Sequence, residues 1–231
     1  MALTTTLSVQ TRPDALRRYE MAVQRLAEAA KKKHEKLNWT AHQTRFGEQM
    51  RFYFVSSVDT FRALGDRGTL PELAGRALGN DALAWLDETA SLTAMQRFVV
   101  SIDRPDLSYA RSEMRPTPAP FASVARLRVR LGAREAAEEL IRKLAEAIPK
   151  VDDPTTLITR QVLIGNPADY TLIRPLQGLG DLDAQRAPDR LLIEAFGASE
   201  GGLLFRSGSD AIEHIEREIV AYRPDLSNPT Q

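Results

Sequence analysis

Arg104-Pro105-Asp106-Leu107-Ser108 recurs as Arg223-Pro224-Asp225-Leu226-Ser227, an offset of 119 residues, and Leu26-Ala27-Glu28-Ala29 recurs as Leu144-Ala145-Glu146-Ala147, an offset of 118. Two identities at nearly one offset, each at an equivalent point of its half, indicate a tandem duplication, and overlooking it would misassign the fold. The chain then divides into a first repeat over 1–112, a proline-rich joint over 113–120 and a second repeat over 121–231. Met114-Arg115-Pro116-Thr117-Pro118-Ala119-Pro120 suits an extended spacer rising roughly 3.1 Å per residue.

Each half can be read against the other. Leu3 to Gln10 alternates apolar and polar side chains, as Phe121 to Leu131 partly does, so both halves open with a strand. Leu16, Tyr19, Val23, Leu26 and Ala30 then fall on one helical face, and Ala137, Ile141, Leu144 and Ile148 repeat that spacing up to Pro149. Hairpins follow: Asn38 to Phe46 with Gln49 to Ser56 around Gly47, and Thr155 to Ile164 with Ala168 to Arg174 around Gly165-Asn166-Pro167. Broken helices come next. Thr69-Leu70-Pro71-Glu72 has the spacing of a capping box, Ala187 to Phe196 stops at Gly197, and Ser199 is placed to cap a further helix. Thr93 to Asp103 and Glu213 to Tyr222 read as closing strands.

The order is β-α-β-β-α-β, twice, the ferredoxin-like arrangement. A sheet with helices on one face leaves its other face open, and two copies can cover each other. The fold class expected is therefore α+β: two ferredoxin-like repeats forming an intramolecular dimeric α/β barrel. The repeated pattern, the segment Met50-Arg51-Phe52-Tyr53-Phe54-Val55 and the closing Arg-Pro-Asp-Leu-Ser of each half carry a resemblance to the dimeric α/β-barrel superfamily. In particular, the chain resembles stress-responsive and NIPSNAP-like barrel proteins in tandem, single-chain form. That superfamily includes monooxygenases, polyketide cyclases and haem-handling enzymes, so the resemblance bears on fold far more than on activity.

Composition narrows the classes. With 43% hydrophobic residues and 31 basic against 31 acidic side chains, the chain can bury a core and has no general attraction to nucleic acid or an anionic membrane. The absence of cysteine removes disulfides, thiolate catalysis and cysteine metal sites. No apolar run is long enough for a bilayer span, and the opening MALTTTLSVQTRPDALRR lacks the apolar core of a secretory signal, which points to the cytoplasm. No histidine and carboxylate spacing matches a metal site, and no glycine-rich loop or nucleophile elbow is present, so no metal or cofactor is expected.

Strand alternation assigns faces. Met50, Phe52 and Phe54 should pack under the helices, leaving Arg51, Tyr53 and Val55 on the open side. His42 should lie opposite Tyr53, giving an imidazole, a phenol and a guanidinium as an acid/base and oxyanion set. In the second half Leu127 and Val129 turn under the helices, which sends Arg126, Arg128 and Arg130 to the open side to meet Glu216, Glu218 and Asp169. Those arginines would mainly form ion pairs, or bind a carboxylate or phosphate of a ligand. If the Arg128 pair is dry, Arg128→Ala should cost about 3 kcal/mol.

The function these features imply is a barrel protein of undetermined activity that binds a small apolar or anionic molecule, as an internal pseudo-dimer with further self-association left open. One alternative is a cofactor-free monooxygenase or polyketide-type cyclase with His42 as acid/base; another is a haem-binding protein. The resemblance implies a pocket between sheet and helices in many catalytic relatives, where this sequence places Phe52, Phe54, Trp85 and Leu86.

Overall fold

The computed structural model describes residues 3–66, 68–110 and 118–229, so the joint expected over 113–120 falls largely outside the described residues. The chain packs as two compact units, Met1–Ser101 with Ala221–Gln231, and Ile102–Val220.

The first unit runs β1 (Leu3–Thr11), α1 (Leu16–Lys32), β2 (Thr40–Phe46), β3 (Arg51–Val58), α2 (Phe61–Asp66), α3 (Leu70–Leu78), α4 (Ala82–Leu92) and β4 (Thr93–Asp103). Its sheet order is β4-β1-β3-β2. Alternation drives the pairing: Leu3 lies opposite Val58 and Gln10 opposite Arg51, while β2 meets β3 with Ala41 opposite Phe54 and His42 opposite Tyr53. The hairpin between them needs Gly47 at φ 119°, where a side chain would be strained. Tyr19, Ala22, Val23, Leu26, Ala27 and Ala30 form the buried stripe of α1 against Val9 and Phe52 of the sheet. The small alanines of that stripe let Trp85 of α4 come close enough to donate its Nε1–H to the Ala22 carbonyl at 2.7 Å. Phe54 and Leu86 pack on the same core, so the space under the helices is filled as expected. The Thr69–Glu72 capping box starts α3, with the Glu72 carboxylate accepting the Thr69 N–H at 2.6 Å.

The second unit runs β5 (Phe121–Val129), α5 (Arg134–Lys150), β6 (Ile158–Ile164), β7 (Asp169–Leu176), α6 (Pro188–Phe196), α7 (Ala198–Asp210) and β8 (Ile212–Tyr222), with sheet order β8-β5-β7-β6. Phe121 pairs with Leu176 and Ile158 with Ile173, the registers of the first unit displaced by 118 residues. Leu127, Val129, Ile141 and Tyr170 share one core cluster, and Leu144, Ile148, Leu191 and Leu192 another.

Two local expectations need correcting. Gly197, at φ 88°, ends α6 and also caps α7, so Ser199 lies inside the helix and α7 runs for 13 residues. Pro149 sits within the last turn of α5 without ending it, and the helix continues to Lys150. The short α2 had no clear periodic signal.

Glycines set the spacing of the helical layer in this unit. A Cβ on Gly208 would lie 2.3 Å from Leu140 Cβ, and one on Gly201 would lie 2.5 Å from the Leu192 carbonyl oxygen. Gly208→Ala is therefore expected to cost about 1–3 kcal/mol in chemical denaturation, although alanine is the better helix former. A neutral or stabilising result would mean that α5 and α7 are not in close contact.

Candidate functional site

The unit boundaries cut β4 and β8 near their ends, so each closing Arg-Pro-Asp-Leu-Ser packs away from most of its own strand. Residues 104–108 belong with α5 and β6, and residues 223–227 with α1 and β2. Arg104 donates to Asp106 at 2.9 and 2.7 Å, to Glu138 of α5 at 2.8 and 3.0 Å, and to Gln161 of β6 at 2.8 Å. Arg223 does the same with Asp225, with Glu20 of α1 at 2.6 Å and with Gln43 of β2. Ser108 Oγ accepts the Thr159 N–H at 2.9 Å, and Ser227 Oγ the Ala41 N–H at 2.8 Å. Leu107 and Leu226 are fully buried. The recurring five residues are thus a pair of clasps. The roles of Glu20, Gln43, Glu138 and Gln161 escaped sequence reasoning, although the recurrence itself was the available signal.

Hydrogen bonding from Arg104, assisted by Tyr170 and Arg134, lowers the Glu138 pKa from 4.5 to about 2, against the opposing effect of burial. Tyr170, whose hydroxyl donates to Glu138 at 2.6 Å, is pushed up to about 12, first by burial and then by that carboxylate. A depressed carboxylate stabilises the fold above its unfolded pKa. The Glu138 contribution should be present above pH ~4.5 and lost as pH falls toward 2. Denaturation midpoints measured across that range should fall less steeply for Glu138→Gln than for the native chain. Equal slopes would show that Glu138 titration does not contribute to stability.

The face of the first sheet turned away from its helices carries the residues expected for chemistry. His42 stands opposite Tyr53, with its Nε2 3.2 Å from Thr40 Oγ1 and its ring 5.6 Å from that of Tyr222. Arg51 donates to the Tyr53 hydroxyl at 3.3 Å and to Gln10 Oε1 at 3.4 Å, and it pairs with Glu48. Tyr53 is buried and His42 half-buried. Chemically the set offers a titratable imidazole beside a phenol polarised by a guanidinium, with Glu48 offsetting the positive charge.

The arginines of the second unit do not converge. Arg126 pairs with the buried Glu218, Arg128 Nε lies 2.9 Å from Asp169, and Arg130 Nε donates to the Asp210 carbonyl at 2.9 Å. Residues two apart on a strand are separated by about 7 Å, so each guanidinium meets its own partner. Glu216 is half-buried. The Arg128 side chain is 44% exposed, which replaces the expected dry pair with a surface one contributing about 0.5 kcal/mol.

Haem is not fitted by the residues present. His34, at φ 53° after α1, and His214 on β8 are exposed, and His42 lies on the sheet face away from the helices. The spaces between sheets and helices are packed with aliphatic and aromatic side chains. Among the described residues no group of three or more histidine or acidic side chains could hold a metal ion, and no helix is long and apolar enough to cross a membrane.

No protein-family model and no curated protein matches the chain. Solved structures do. An anthrone oxidase-like protein superimposes with a TM-score of 0.62 at 12% identity over 99% of this chain and 94% of its own. A candidate monooxygenase from Lactobacillus acidophilus NCFM gives 0.54 at 8% over 99% and 97%. Chlorite dismutase from Candidatus Nitrospira defluvii, solved with imidazole, gives 0.55 at 11% over 97% and 92%. These neighbours are dimeric α/β-barrel folds, and the likeness shows that fold for this chain.

Proposed function

We propose that the protein binds a small oxygenated aromatic molecule at the face of its first sheet turned away from the helices and that His42, Tyr53 and Arg51 there support enolisation chemistry without a cofactor. The supporting observation is the cross-strand pairing of His42 with Tyr53, whose hydroxyl accepts a hydrogen bond from Arg51. An imidazole can remove a proton next to a carbonyl, while a phenol polarised by a guanidinium stabilises the resulting oxyanion. With dioxygen as the oxidant, the carbanion of an anthrone-type ketone would be oxidised at that carbon to a quinone, and the dioxygen would leave as one carbonyl oxygen and one water. The neighbours named for monooxygenase and anthrone oxidase activity make anthrone a suitable first probe.

Dioxygen uptake with anthrone is expected to fall about 100-fold or more in His42→Ala and by less in Tyr53→Phe. Turnover by the native chain that survives His42→Ala would reject the acid/base role. Binding of anthrone without turnover would leave a binding protein.

The two units are also proposed to descend from one duplicated segment, with repeats 1–112 and 121–231 joined over 113–120. The common displacement of 118 residues in two independent strand registers supports this, and the packed units differ from the repeats by the exchanged tails.

A further inference from the structure

Tyr222 ends β8 immediately before the second pentapeptide and belongs to the same unit as His42. Its ring centroid stands 5.6 Å from that of the imidazole, the planes inclined at 48°. The clasp fixes that placement. The Arg223 N–H donates to the Ala41 carbonyl at 2.8 Å and the Arg223 guanidinium donates to Gln43, so the tail is tied to β2 on both sides of His42. The Tyr222 hydroxyl makes no hydrogen bond among the described residues, which leaves the ring as the group that His42 meets.

The second unit shows what else this position can hold. Displaced by 118 and 119 residues, His42 and Tyr222 correspond to Arg160 and Asp103, and Arg160 Nε donates to Asp103 Oδ1 at 2.9 Å. In both units the strand offers a side chain that carries positive charge, and the residue before the pentapeptide is its partner. That partner decides the chemistry. A carboxylate would hold an imidazole in its charged form and remove it as a base. A ring within about 6 Å favours the cation by much less, which leaves the imidazole able to take up and return a proton near neutral pH. The other groups around His42 are Tyr53 across the strand pair, Arg51 with its partner Glu48, and Arg223, which Asp225 and Glu20 neutralise on the tail.

We propose that Tyr222 is a positioning residue for His42: its ring holds the imidazole in place and stabilises the imidazolium formed when His42 takes the substrate's proton. This rests on His42 acting as the base, but the contact itself is measurable without turnover.

Titration of the histidine ring protons by NMR in the full chain tests it, with His42→Ala identifying the signal and the exposed His34 and His214 serving as references. Tyr222→Leu should lower the His42 midpoint by about 0.5 pH unit, and Tyr222→Phe should restore it. Tyr222→Asp, which imports the pairing of the second unit, should raise it by about 1 pH unit or more. Dioxygen uptake with anthrone should fall about 3-fold in kcat in Tyr222→Leu, with KM unchanged, and recover in Tyr222→Phe. An unmoved His42 midpoint in both Tyr222→Leu and Tyr222→Asp would overturn the proposal, as would a midpoint in Tyr222→Phe as low as in Tyr222→Leu. Shifted midpoints in a chain that does not turn over anthrone would uphold the contact and reject the oxidation assigned to the site instead.

Discussion

Arg104→Ala is expected to destabilise the protein by about 3 kcal/mol, measured by urea denaturation. The side chain is only 14% exposed and its partner Glu138 13%. Truncation removes donors to two carboxylates and to Gln161 together. Glu138 would keep Arg134 and Tyr170, which holds the cost at the lower end of the range for a broken buried pair. Arg104→Lys should recover little, because an ammonium cannot engage both carboxylates through a planar fork. Arg128→Ala, at an exposed pair, should stay within about 0.5 kcal/mol. Similar costs for the two alanine variants would show that Arg104 is not a clasp.

Leu226→Ala should cost about 3 kcal/mol, although the residue is close to the end of the sequence. Its side chain is fully buried in the first unit's core, among α1 side chains, and its carbonyl accepts the Trp39 Nε1–H at 2.8 Å. Backbone bonds between Trp39 and Asn228, at 2.9 and 3.0 Å, pin the tail on either side of that contact. A tail lying loosely on the surface would tolerate the change within about 0.5 kcal/mol. Trp39 fluorescence should respond in the same variant, since the indole would lose packing around its hydrogen-bonded partner.

Much of the arrangement was readable from particular residues. Two-residue alternation around Gly47 was enough to place His42 opposite Tyr53, and the same alternation put Phe52 under the helices. The displaced registers agree with what the recurring tetrapeptide and pentapeptide implied. What could not be read depended on distance along the chain. Adjacency suggests that Arg104 belongs with the strand it ends, whereas its partners lie 34 and 57 residues further on. Arg126, Arg128 and Arg130 share a face, but alternation says nothing about where β5 ends, and Arg130 lies just beyond it. Ser199 has the chemistry of a cap, yet the chain reversal at Gly197 needs positive φ and so takes that position.

The repeated pentapeptides hold the fold by packing against elements distant in sequence. A double-mutant cycle on Arg104→Ala and Glu138→Ala tests it most directly. A coupling of about 2 kcal/mol between these residues is expected, whereas costs that add within about 0.5 kcal/mol would show that the two side chains do not act together.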